Sequence, residues 1–332
     1  MLNTEVDFNS ADYVFHYTTL NIALEEILFK KKIKLSSSLT LSDRYEKKIN
    51  FSDNLSGSFW EKLRDYFRKQ KERGYYKASF CQNVLNQNSD IYGWAKPSMW
   101  DYYSDSHCGV CLVFSRKLLI KYMKELTNKY RPHAYCYEMK YQSEVPEIDL
   151  ENNMFDIFKR LIDRKYKSVK DNGLVDTVVK YKDFFENYEL VKKNIFEDKL
   201  SKNESLSNKL KKILSTLHRL STLHRPLERE SEYLIEDIFM EYIKNQECFN
   251  SLCAIKYSDY QNEREFRVGA LLTNSEEKNR FFDFQDSLKG LIVGDSVSPS
   301  YYPSILDFSQ KLSICVKKID WSDDQPKLKE LS

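Results

Sequence analysis

Chain-breaking residues are scarce in this sequence: eight glycines and seven prolines among 332 residues. So few breakers favour long helices over a turn-rich chain. No apolar run is long enough to cross a bilayer, so no membrane association is expected. The opening "MLNTEVDFNSADYVF" has neither a basic nor an apolar targeting region. With an odd number of cysteines, seven, this points to a reducing cytoplasm. Charge of one sign is also lacking. The net value is +2, and no global basic field argues for nucleic acid, although a local patch remains possible. No phosphate-binding glycine loop, G-x-G-x-x-G, G-x-S-x-G or H-E-x-x-H occurs, which disfavours Walker-type nucleotide hydrolysis and zincin chemistry. Hydrophobic residues at 41% and charged residues at 31% mark a soluble globular chain, and 23 tyrosines with 20 phenylalanines suit an aromatic core with pockets.

Strand-like stretches gather at both ends. "YVFHYTT", "KASFCQNV", "CGVCLVF" and "AYCYEMKY" come early; "FNSLCAIKYS", "EFRVGALL", "GLIVGD" and "LSICVKKIDW" come late. Helical patterns start near Asn21, near Trp60 with Gly74 as the stop, and at Pro97. A charged helical texture fills the middle, where Leu206, Leu210, Ile213, Leu217 and Leu220 form a seam of about two heptads. The expected class is α+β, with core parts at 1–150 and 246–332 and a helical insertion at 151–245. That insertion is a candidate surface for self-association or a protein partner. Within it, "LSTLHRLSTLHR" at 214–225 duplicates six residues. Six residues turn a helix through roughly 600°, so His218 and His224 would point apart and make a poor metal pair.

Four constellations bear chemistry. Glu263 and Glu265 open the run "EREFRVGALL", and strand alternation would put both on one face. Two such carboxylates repel unless something uses them; the plainer account is a solvent-facing edge with Arg264 and Arg267 as partners. His16 stands between Phe15 and Tyr17, followed by Thr18. It is either a satisfied sheet residue or a neutral donor and acceptor for a ribose or an amide. In "MWDYYSDSHCGVCLVF", Trp100 and Tyr103 are spaced to share a helical face that forms core or walls a planar ligand. The single C-x-x-C of Cys108 and Cys111, preceded by His107, falls short of a zinc set, and no metal is expected. Asp43 and Glu46, three apart in "SDRYEKK", either cap a helix or sit at a pocket rim.

The order of these pieces resembles the bacterial domain of unknown function family 2971. Met99, Trp100, Tyr103 and Gly109 match its Met-Trp-x-x-Tyr-x-x-x-x-x-Gly block, within which His107 is also counted as a match, and Glu263, Glu265 and Arg267 match its Glu-x-Glu-x-Arg. The loop holding Asp43 and Glu46 keeps the two acids and an aromatic of the family pattern but lacks its proline. A looser similarity is to ADP-ribosyltransferases, and it implies a split antiparallel sheet, a first-strand histidine, a tyrosine block and a late-strand glutamate. On that resemblance Glu265, Glu263 and His16 are the expected catalytic residues. Tyr17, Thr18, Asp43, Glu46, Trp100, Tyr103, His107 and Arg267 are expected to bind substrate. NAD would be the substrate, and a protein or nucleic acid the acceptor, in phage defence, abortive infection or a toxin system. Two alternatives stay open: a module that binds nucleic acid or a partner, and a nuclease with Asp43, Glu46, Glu263 and Glu265 around Mg²⁺.

Overall fold

The computed structural model describes residues 6–37, 48–51, 58–85, 91–130, 133–144, 147–148, 150, 157, 160–161, 230–244, 249, 252–271, 281–322 and 325–331. The leucine seam, the 214–225 duplication, Asp43 and Glu46 lie outside them. The strands are β1 (Tyr13–Thr18), β2 (Lys32–Lys34), β3 (Ser36–Ser37), β4 (Asn50–Phe51), β5 (Tyr75–Gln82), β6 (Val110–Ser115), β7 (His133–Glu138) and β8 (Lys140–Gln142). They continue as β9 (Glu147–Ile148), β10 (Ile255–Tyr257), β11 (Glu265–Leu271), β12 (Phe281–Asp283), β13 (Leu288–Val293), β14 (Cys315–Asp320) and β15 (Lys327–Glu330). The class is α+β, as the sequence pattern implies.

Two compact units divide the chain: Met1–Lys47, Gln70–Glu144 and Ala254–Ser332 form the first, and Lys48–Lys69 with Val145–Cys253 the second. In the second, the helices Ser58–Lys69 and Glu230–Lys244 meet through aromatic edges, with Phe67 4.9 Å from Phe239 and 4.9 Å from Tyr242. The helical insertion expected at 151–245 falls within this unit.

The first unit is built on a nine-stranded sheet in the order β15-β14-β13-β6-β1-β5-β11-β7, with β3 also on β5. Every pairing is antiparallel except β13 with β14. The run "VCLVF" of β6 is buried at every position, as befits a strand covered on both faces. Alternation sends Val14, Phe80, Leu112, Phe114, Phe266 and Val268 into one core layer. That layer is closed by Ala23 and Ile27 of a π-helical turn (Ile22–Leu28), by Leu119 of the helix Arg116–Tyr130 and by Ile305 of the helix Tyr302–Leu312. Phe15, Tyr17, Cys81, Cys111, Val113 and Ile292 face the other way, where Trp94 and Trp100 cover them.

One seam of the sheet is open. β1 matches six residues with β6, but meets β5 only at Val14↔Gln82 and Phe15↔Cys81. β5 resumes pairing on that edge at Ser36↔Lys77. Between these points the sheet is split, and the split positions the site described below.

Where the helix Pro97–Tyr103 returns to the sheet, backbones come close at Gly109. A Cβ there would lie 2.4 Å from the Thr18 carbonyl oxygen and 2.7 Å from that of Ser104. Gly109→Ala is expected to lower stability by about 1–3 kcal/mol, the usual scale of overpacking against atoms that cannot step aside. Urea unfolding reads it, and an unchanged midpoint would show that the backbone gives way at no cost.

Candidate functional site: a charged cavity through the split sheet

At the split, β1 and β5 each leave backbone groups without a sheet partner on the facing edge. His16 answers one of them: its Nδ1–H donates to the Ser79 carbonyl at 2.9 Å. That bond selects the tautomer, leaving Nε2 as an acceptor. Burial lowers the His16 pKa below its ordinary value, against the Ser79 bond, which raises it. The ring is therefore neutral at pH 7. A cavity of about 600 Å³ passes here, lined from one face by Lys77, Ser79, Cys81, Glu265 and Arg267 and from the other by Phe80, Ile27 and Ile33. This volume is in the ordinary range for a small-molecule site.

The acidic pair does not sit as alternation predicts. Glu263 ends a 3-10 helix (Ser258–Glu263), Arg264 takes the left-handed conformation at φ 46°, and only Glu265 begins β11. The kink turns the two residues out of one strand register, yet their carboxylates meet on one cation. Lys256 Nζ, carried on β10, is 2.6 Å from Glu263 Oε2 and 3.4 Å from Glu265 Oε2. Arg267, two residues along the same face, forks onto Glu265: Nε donates to Oε1 at 2.6 Å and Nη2 to Oε2 at 2.8 Å. Repulsion between the glutamates is thus relieved by cations of the chain itself, in the interior and not on a solvent-facing edge. Glu265, Arg267 and Lys256 are all buried.

These contacts set the charge states. Burial opposes ionisation of Glu265, but Arg267, Lys256 and Lys77 outweigh it and hold the carboxyl well below the ordinary range. Lys256 is likewise kept charged: burial disfavours the ammonium, and Glu265 and Glu263 override it. Glu263 differs. Burial raises its pKa, and Lys256 offsets this only in part. One carboxyl is locked as an anion; its neighbour is half-buried and titrates higher. Lys96, itself buried, donates from Nζ to the Glu263 carbonyl at 2.5 Å and anchors the end of the 3-10 turn. The Glu265 N–H donates to the Tyr141 hydroxyl at 2.8 Å.

Of the residues expected from sequence, the structure brings His16, Tyr17, Tyr103, Glu263, Glu265 and Arg267 to this cavity. Tyr17 reaches it only in part, because its hydroxyl donates to the Gly93 carbonyl at 2.7 Å within the second core layer. Thr18, Trp100 and His107 lie outside it. Thr18 is buried opposite Val110. Trp100 is fully buried, with Nε1–H donating to the Trp94 carbonyl at 2.8 Å. His107 stacks on Trp100 at 5.9 Å and stands between Asp101 and Asp295. The short helix therefore shows the cavity Met99 and Tyr103, four apart, and not Trp100 with Tyr103. The Tyr103 hydroxyl is pushed up to about 12, first by burial and then by Glu263, so it stays a proton donor. Lys256, Lys77 and Tyr260 also line the cavity and escaped the sequence reading. A lysine inside the apolar stretch "LCAIKY" is the one signal that could have found Lys256.

The fold and site define an α+β protein with a charged, ligand-sized cavity at a split sheet. The family model described as a protein of unknown function, DUF2971, matches residues 99–268, and the chain belongs to that family. No curated protein and no solved structure matches the chain.

Glu265→Gln would leave Arg267 buried without the carboxylate it forks onto and Lys256 with Glu263 alone, at a cost of about 3–5 kcal/mol at pH 7. Because the folded-state pKa is depressed, the stabilisation is complete above the ordinary value of 4.5 and is lost as pH falls below it. The gap in unfolding free energy between wild type and variant should therefore narrow in acid. Equal stability at pH 7 would contradict the pairing.

Proposed function

We propose that the chain is an NAD-consuming enzyme that breaks the nicotinamide–ribose bond and passes the ADP-ribosyl group to a macromolecule or to water. The supporting observation is that His16, Tyr103, Glu263 and Glu265 line one cavity, despite lying on four separate elements. Neutral His16 offers Nε2 to a ribose hydroxyl, which donates to it. Tyr103 and Tyr260 give an aromatic wall for the nicotinamide ring. As the C1′–N bond breaks, its electron pair leaves with the pyridinium nitrogen, which becomes neutral, and positive charge builds on the ribose. Glu265 supplies fixed negative charge beneath it, partly screened by Arg267 and Lys256. An acceptor hydroxyl, amine or water then attacks C1′ and gives its proton to Glu263, whose raised pKa suits a base better than the locked Glu265 does. Glu263 and Glu265 already hold cations of the chain, so this donor set lends a Mg²⁺-dependent nuclease no support.

The setting we favour is a bacterial cytoplasmic effector of phage defence or a toxin system, with partner contacts through 151–245. No helix among the described residues is long and apolar enough to cross a membrane.

Nicotinamide release by purified protein, with and without cellular protein, RNA and DNA, tests this reading. Glu263→Gln should lower turnover by about 100-fold or more with little change in NAD affinity. The wild-type rate should fall in acid as Glu263 and His16 take up protons, with the Glu263 limb lying above 4.5 and absent from the variant. No release by wild type under any of these conditions would refute the assignment.

A further inference from the structure

Charge is distributed unevenly along the cavity. Three glutamates line it, and each has a partner: Glu265 has Arg267, Glu263 has Lys256, and Glu26 has Lys30, which is not part of the wall. Five cations line it as well: Lys32, Lys34, Lys77, Lys256 and Arg267. With His16 neutral, the wall carries an excess of positive charge. Arg267 and Lys256 are matched by Glu265 and Glu263, and Lys77 is buried beside Glu265, so the exposed part of the excess falls around β2. There Lys32 is 3.9 Å from Asp283, and Lys34 has no carboxylate partner among the described residues.

Apolar surface flanks the same two lysines. Phe281 of β12 pairs with Lys34 of β2, and the π-helical turn brings Ile22 to the wall. Phe281 is 42% exposed and Ile22 48%, although both line a concave site. Exposed apolar side chains beside paired ammonium groups complement a flat ring joined to a polyanion. The Glu263 end, lined by matched charges and tyrosines, does not.

We infer, resting on the NAD reading above, that the β2–β12 end holds the ADP moiety of the dinucleotide. The pyrophosphate lies against Lys32 and Lys34, and the adenine ring against Phe281 and Ile22. Seating this half at β2 directs the ribosyl bond that breaks toward Glu263 at the other end. Specificity for a dinucleotide over nicotinamide riboside comes from this mouth.

ADP titrated calorimetrically into the full-length protein tests the inference apart from the chemistry. Lys32 and Lys34 are exposed, so Lys32→Ala/Lys34→Ala should keep the wild-type melting temperature. The double variant should bind ADP about 100-fold more weakly and lose most of the dependence on salt, as expected when two charge-assisted contacts vanish. Phe281→Ala should weaken ADP about tenfold while keeping the salt dependence. Wild type that releases nicotinamide while the lysine variant keeps full ADP affinity and an unchanged KM would overturn the ADP site and leave the NAD reading standing. ADP binding that depends on both lysines, with no nicotinamide release from NAD, would uphold the site and refute the reading. Failure of wild type to bind ADP would overturn the site.

Discussion

The Glu265–Arg267 fork, with Lys256 against it, is the interaction on which the first unit turns. Three charges are removed from water there, and removal of Glu265 takes from Arg267 its forked carboxylate and from Lys256 one of its two carboxylate partners. Desolvation alone would neutralise such groups; mutual pairing keeps them charged. The requirement reaches outward. Lys256 must come from β10, Arg267 must follow Glu265 at the same-face spacing of β11, and Glu263 must swing off the strand to reach the same ammonium. The left-handed Arg264 and the buried Lys96 beneath the Glu263 carbonyl serve that last demand. Because replacing such a cluster by apolar residues would not cost stability in general, its presence argues for a use other than stability.

That use needs an opening, and the sheet supplies one by leaving hydrogen bonds unmade. β1 and β5 separate after two matched pairs. Their exposed edges would invite another strand if they were not occupied. His16 occupies part of the edge through Ser79, and β3 takes the far end at Lys77. What remains is a passage bordered by backbone, one neutral imidazole and the fixed charges of β11. Rigid strands carry these groups, which favours preorganisation over a site assembled on loops. The lysines of β2 and the tyrosines of the Glu263 end then give the two mouths different chemistry.

Much of this was legible in the residues. Alternation and β-branched runs located β1, β5, β6, β11, β13 and β14; Pro97 opened its helix, and Gly74 closed a helical run whose last turn is π. The short strands β12 and β15 gave no pattern strong enough to single out, whereas the helix Arg116–Tyr130 carries apolar Leu119, Tyr122 and Met123 at helical spacing. His16, Tyr103 and the Glu-x-Glu-x-Arg run pointed to residues that do share a cavity. Their arrangement was not legible. The kink at Arg264 breaks the strand period at a residue with no turn preference, so alternation alone misplaces Glu263. Lys256 escaped because its link to the glutamates passes through a 3-10 turn, and such links have no fixed spacing. Motif membership does not separate lining from support: Trp100 packs beneath β1 and His107 stands beside Asp101 and Asp295, both away from the cavity wall.

Hydrogen–deuterium exchange on the full-length protein, with and without saturating NAD, bears most directly on the claim that the split is where the ligand acts. The account predicts slowed exchange in peptides spanning Tyr13–Thr18 of β1, Lys32–Lys34 of β2 and Ser258–Leu271, with little change in β14 and β15. Protection confined to other segments, or none at saturation, would contradict it.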